Sequence, residues 1–200
     1  ISPVNVEQVV DQILAQGGRA KAYVEDVAKK LGAQNLIKQV EDEFGRLDVL
    51  VNHASVRPHD ALLDMDEWDW HRTLDVNLGG AFFAIQHAGR AMRAQGRGVI
   101  INLAAASSYL AERPHRAAYA ASKAGLIGLT RYAARELAPY HIRVLAVCPA
   151  AADTESLRLA KDYPAHPLPP LLLPLEKITA VVLDLCRADH PATGEVIEIG

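Results

Sequence analysis

Three apolar runs, LDVLVNH at 47–53, GVIINLA at 98–104 and IRVLAVC at 142–148, constrain this chain more than any other feature. Each is short, rich in β-branched residues and nearly continuous, the pattern of a parallel strand covered on both faces. RAKAYVE at 19–25 and GEVIEI at 194–199 read as further strands. Helical apolar spacing fills the intervals at about 5–16, 28–43, 65–94, 115–138 and 174–187. Strands and helices alternating in this way predict an α/β fold, a doubly wound parallel sheet in three layers with right-handed crossovers. The exception is the proline-rich stretch 153–174, DTESLRLAKDYPAHPLPPLLLP, which reads as an irregular loop.

At 200 residues the chain is long enough for one domain with a sizeable core. A net charge of −3 and mixed signs throughout leave no basic stripe, which argues against a nucleic-acid partner. Cys148 and Cys186 lie in apolar runs without metal or redox spacing and read as reduced core residues. Eight scattered histidines show no HExxH or HxH, so no metal is assigned. LPPLLLPL at 168–175 is too short and too proline-broken to span a bilayer. A cytoplasmic protein is the expectation. Trp68 and Trp70 read as core packing, with a pocket wall as the alternative.

Ligands of open parallel sheets sit beyond the carboxyl ends of the strands. Here those ends are Asp26, Asn52 to Ser55, Ala104 to Ser108 and Pro149 to Thr154. Into the same region run the residues YAASK, where Tyr119 and Lys123 stand one helical turn apart on one face. A free phenol ionises near pH 10, and a neighbouring cation favours the phenolate. By itself such a pair is common in helices.

The order of motifs carries more weight: YVED, LDVLVNHAS, LDVNLGGAFF, GVIINLAAASS, YAASK, HIRVLAVCPAAADT and ATGEVIEIG. In this order and spacing, from about residue 5 to 200, the chain resembles the short-chain dehydrogenase/reductase family. The resemblance implies a Rossmann-like fold and hydride transfer between NAD or NADP and a small alcohol or ketone, in a homodimer or homotetramer. It implies that Tyr119 is the acid/base, that Lys123 lowers the tyrosine pKa and holds the nicotinamide ribose, and that the backbone kink at Asn77 supports a proton-relay water. Asp26, with Val27 beside it, would contact the adenine, with a helix cap as its alternative. Asn52 and Ala54 would pack beside the cofactor, as would Pro149. Thr154 would touch the nicotinamide amide or simply form a turn. Ala121, Gly125 and Gly128 suit a close helix contact between subunits or internal packing.

Three departures stand against the likeness. The serine expected at the end of the second apolar run, three residues after Asn102, is Ala105, and losing one such donor costs about 10²–10³ in rate; Ser107 is the candidate stand-in, with Ser108 behind it. The asparagine–alanine–glycine element reads Asn52-His53-Ala54-Ser55, and the proline–glycine pair is Pro149-Ala150. His53 reads as packing, with an acid/base role as the alternative. Lastly, no GxxxGxG or GxGxxG occurs, so the first βαβ portion with its phosphate cradle is missing from these residues. Two strands would then be lacking between 19–25 and 47–53, a gap of roughly 14 Å. The expectation is a part of a longer polypeptide; the rival is a catalytically impaired binding or oligomerisation subunit.

Overall fold

A computed structural model describes residues 3–106, 114–152 and 172–200. Four parallel strands, β1 (Val49–Asn52), β2 (Gly98–Leu103), β3 (Ile142–Pro149) and β4 (Val196–Ile199), form one sheet in the order β1-β2-β3-β4. Among the described residues six α-helices accompany them: α1 (Pro3–Ala15), α2 (Lys30–Phe44), α3 (Glu67–Leu74), α4 (Gly80–Gln95), α5 (Ala117–Leu137), which runs on into a 3-10 turn (Ala138–Tyr140), and α6 (Leu175–Leu185). The doubly wound α/β expectation holds, with each helical pattern within two residues of its expected place.

Alternation along the strands sends successive side chains to opposite faces. On one face Leu50, Ile100 and Val144 meet Ile37, Ile85, Met92 and Ala133 from the long helices α2, α4 and α5. On the other, Val99, Ile101, Leu145 and Val147 meet Leu185 and Val182 of α6. Cys148 is buried and Cys186 half-buried, both as free thiols.

The expected strand at 19–25 does not form. The segment carries no ladder, and Val24 is 91% exposed. Side chains hold it along α2 instead: Lys21 pairs with Glu43 at 2.5 Å, Gln39 donates to Glu25 at 3.0 Å, and Arg19 lies over the Phe44 ring. An extended segment becomes a strand only when a neighbour accepts its ladder, and none lies beside it among the described residues. Trp68 also departs from expectation. It sits inside α3, as the helical spacing predicts, but at 67% exposure it is not core.

Between α3 and α4 the chain makes a π turn, Asp75–Gly79, where the Gly80 N–H bonds to the Asp75 carbonyl. Such turns insert one residue into the helical ladder and re-aim the side chains around it. Asn77 is at its centre.

Candidate active site

The loop after β1 is fixed by the π turn. Asn77 Oδ1 accepts from the Val56 N–H at 2.8 Å, while its Nδ2 donates to the Val56 carbonyl and to Ser122 Oγ, each at 3.0 Å. Ser122 Oγ in turn donates to the Tyr119 carbonyl at 2.7 Å. One buried amide therefore ties the 53–56 loop to the first turn of α5. Three of the four hydrogen-bonding positions of the Asn77 side chain are used, which leaves one lone pair on Oδ1.

Lys123 is 3% exposed. Its Nζ donates to the Leu103 carbonyl at 2.7 Å and lies 5.5 Å from the centre of the Tyr119 ring. Burial pushes its pKa down to about 8, because a desolvated ammonium is disfavoured. Tyr119 is half-buried against Ala105, Ala106 and Ala151. Where a hydroxyl is expected, Ala105 presents a methyl that is 3% exposed.

A second set of bonds holds α5 to the sheet. Asn52 Nδ2 donates to Asn102 Oδ1, Asn102 Nδ2 to Thr130 Oγ1, and Thr130 Oγ1 to the Leu126 carbonyl, each at 2.8 Å. Asn102 and Thr130 are fully buried, so each polar atom needs the next. Together with the Lys123–Leu103 bond, this chain fixes the height of Tyr119 above the strand ends.

Two cavities flank Lys123. One, of about 100 Å³, is lined by Val27, Asn52, Ala54 and Asn77. The other, of about 420 Å³, is lined by Leu103, Ala104, Tyr119, Pro149 and, from α6, Ile178 and Thr179. Lys123 and His53 line both. Val27 reaches its place because two glycines let the chain approach. A side chain at Gly32 would stand 2.2 Å from the Asp26 carbonyl oxygen, and one at Gly80 would stand 3.0 Å from that of Val27.

With this geometry in place the comparisons are decisive. A family profile described as short chain dehydrogenase matches residues 1–163. The chain belongs to the short-chain dehydrogenase/reductase family. It is 38% identical over 157 residues to an uncharacterized oxidoreductase of Thermotoga maritima, covering 78% of this chain and 61% of that protein. To 3-oxoacyl-(acyl-carrier-protein) reductase FabG of Staphylococcus epidermidis it is 43% identical over 143 residues, covering 72% and 58%. The chain thus matches about three-fifths of the length of these curated relatives. Among solved structures, a short-chain type dehydrogenase/reductase from Mycobacterium marinum superposes with a TM-score of 0.89 at 32% identity, covering 99% of this chain and 81% of that one. An NAD+-bound xylitol dehydrogenase superposes with a TM-score of 0.86 at 26% identity, covering 99% and 85%.

Of the residues singled out by family resemblance, Val27, Asn52, Ala54, Asn77, Tyr119, Lys123 and Pro149 converge on the two adjoining cavities. Asp26 lines neither: its carboxylate accepts from the Ala28 N–H at 3.1 Å and lies 3.9 Å from Arg72. Ser107, Ser108 and Thr154 lie outside the described residues. Gly125 packs internally, since a side chain there would stand 2.8 Å from Leu78, whereas Ala121 is exposed and Gly128 faces open space. Sequence reasoning passed over Ser122 and Thr130. Their spacings from Tyr119, three and eleven residues, put them on the inner side of α5, and that was the available signal.

Proposed function

We propose that this chain carries the catalytic residues of an NAD- or NADP-dependent oxidoreductase acting on a small alcohol or ketone. The observation that supports it most is a buried ammonium, that of Lys123, set against the Tyr119 ring at the carboxyl ends of the strands. These residues fit the ribose end of a nicotinamide nucleotide: Lys123 retains two N–H groups beyond its bond to Leu103, beside a wall of Val27, Asn52 and Ala54. When bound, the nucleotide gives or takes the hydride. In reduction the Tyr119 hydroxyl hands its proton to the substrate oxygen, and in oxidation its oxygen takes one back. Lys123 favours the ionised phenol by its charge, and Asn77 keeps the β1 loop and the tyrosine turn in register. FabG and xylitol dehydrogenase, by their names, make 3-oxoacyl esters and polyols the first substrates to try.

Calorimetry with NADH and NADPH, followed by turnover of such substrates, tests the reading. Tyr119→Phe is expected to lower turnover by about 10³-fold or more and to leave cofactor affinity within about threefold. Unchanged turnover, or no cofactor binding at millimolar concentration, overturns it.

The methyl of Ala105 favours a second reading, a catalytically impaired subunit that binds or oligomerises. Ala105→Ser separates the two. A gain of about 10²–10³ in turnover marks an enzyme short of one donor. No gain, together with a loss in Ser107→Ala, makes Ser107 the donor; no turnover in any of these proteins favours the impaired subunit. For either reading we infer a homodimer or homotetramer through α4 and α5, where Phe82 and Tyr132 are 44% and 63% exposed and Tyr140, in the turn after α5, is 39% exposed. Light scattering on the eluting protein tests this; a monomer contradicts it.

A further inference from the structure

A serine hydroxyl has one hydrogen to give, and a backbone carbonyl can only accept. Ser122 Oγ, 2.7 Å from the Tyr119 carbonyl, therefore spends its hydrogen there. It has none left for Asn77, so the 3.0 Å contact between the two side chains runs from Asn77 Nδ2 to Ser122 Oγ. That direction turns Asn77 Oδ1 toward the Val56 N–H, from which it accepts at 2.8 Å. The orientation of the amide is thus fixed from both ends. Ser122 is wholly buried and Asn77 is 2% exposed, so bulk water does not compete for these bonds.

The carbonyl at the end of this chain is shared. Within the helix α5 it also accepts from the N–H four residues on, that of Lys123. One peptide group in the first turn therefore joins the backbone that carries the phenol to the backbone that carries the ammonium. Ser122 is the side chain that connects this group to the π turn. Serines that bond back to a carbonyl of their own helix are common and by themselves only bend it slightly. This one also receives a bond from another element, which makes its position depend on Asn77.

We propose that Ser122 is a positioning residue for the acid/base pair: its hydroxyl transmits the placement of Asn77 to the Tyr119 peptide and holds the phenol and the Lys123 ammonium in register with the loop after β1. Its effect on turnover rests on the oxidoreductase reading, and its effect on structure rests on the hydrogen bonds alone. A methyl at position 122 interrupts the chain on both sides. One Asn77 Nδ2 hydrogen then lacks an acceptor in a buried place, so the amide gains by turning and releases Val56. The Tyr119 peptide is freed from the π turn in the same step. Misplacing a reacting group by about 1 Å can cost roughly 10²-fold in rate, and such a loss is felt in the transition state more than in substrate binding.

Ser122→Ala tests this, with Ile100→Val on the covered face of the sheet as the control for lost stability alone. Amide exchange followed by NMR on the full chain is expected to show the Val56 N–H exchanging about tenfold or more faster in Ser122→Ala, relative to the sheet amide of Leu145, and unchanged on that scale in Ile100→Val. Cross-relaxation between the Tyr119 ring and the Lys123 side chain should be lost in the serine variant and kept in the control. In turnover, kcat should fall by about tenfold to 10²-fold while KM stays within about twofold. Val56 exchange that follows the Ile100→Val control overturns the proposal, as does a kcat within about twofold of the parent or a loss confined to KM. The exchange measurement needs no turnover, so a chain whose Val56 exchange responds to Ser122→Ala but which transfers no hydride keeps the clasp and refutes only the oxidoreductase reading.

Discussion

The two faces of the sheet are built from similar strands and end up differently covered. One face lies under α2, α4 and α5, helices of 15, 16 and 21 residues, and buries Ile100 and Val144 completely. The other lies under α6, with 11 residues, which covers β2 to β4 and leaves Val51 of β1 43% exposed. The covered face also carries the Asn52–Asn102–Thr130 chain and the Asn77 clasp. The larger cavity, with His53 and Tyr119 at its edge, opens on the other side, between Val51 and α6. One face thus fixes the geometry of the site and the other leaves it room.

That contrast can be broken most severely by hollowing the covered face. Ile100→Ala removes a wholly buried side chain and is expected to cost about 2–5 kcal/mol in denaturant unfolding. A cost under about 1 kcal/mol would mean the face is loosely packed. Thr130→Val should cost less, about 1–3 kcal/mol, because it strands the buried Asn102 amide without its acceptor. The same variant should lower turnover at constant KM if the chain sets the height of Tyr119; equal loss in a helix-surface control such as Glu136→Ala would contradict that role.

Next in size is a pH effect from the site itself. Lys123 has its pKa lowered from 10.5 to about 8, so between these values the unfolded chain binds more protons and stability rises with pH. Cys148 is raised from 9.0 to about 11, so above pH 9 it releases protons more readily when unfolded and stability falls. From pH 8 to 9 the Lys123 gain of about 1 kcal/mol outweighs the Cys148 loss of a few tenths, so a net rise of roughly 0.5–1 kcal/mol is expected. Lys123→Met should show a flat or slightly falling profile there, and a rise that persists in the variant would contradict the assignment. Smallest of all, Val51→Thr on the open face should change stability by no more than about 0.5 kcal/mol. A large loss would show that this face is covered in solution.

Much of this was legible before any coordinates. The helices and four of five strands follow from apolar periodicity, and the order of motifs places Asn77, Tyr119 and Lys123 together. RAKAYVE misled because β-branched and aromatic residues mark a segment fit for a sheet but cannot say whether a partner strand exists. LDVLVNH likewise reads as covered on both faces, and its hydrophobicity is right for a strand flanked on both sides, yet Val51 is exposed. The fine structure of the site escaped for another reason. Whether Lys123 meets a carbonyl or a carboxylate, and whether Asn77 spends its amide on Val56 and Ser122, depends on ångström-scale placement across distant segments. Sequence spacing fixes only which side of an element a residue is on.

The central claim concerns Lys123, and it can be read directly. Selective labelling of lysine side chains and NMR titration of the ammonium should give Lys123 a pKa of about 8, with cross-relaxation to the Tyr119 ring. A lysine that titrates near the ordinary 10.5 and shows no contact with that ring would place the amine in solvent and contradict the account.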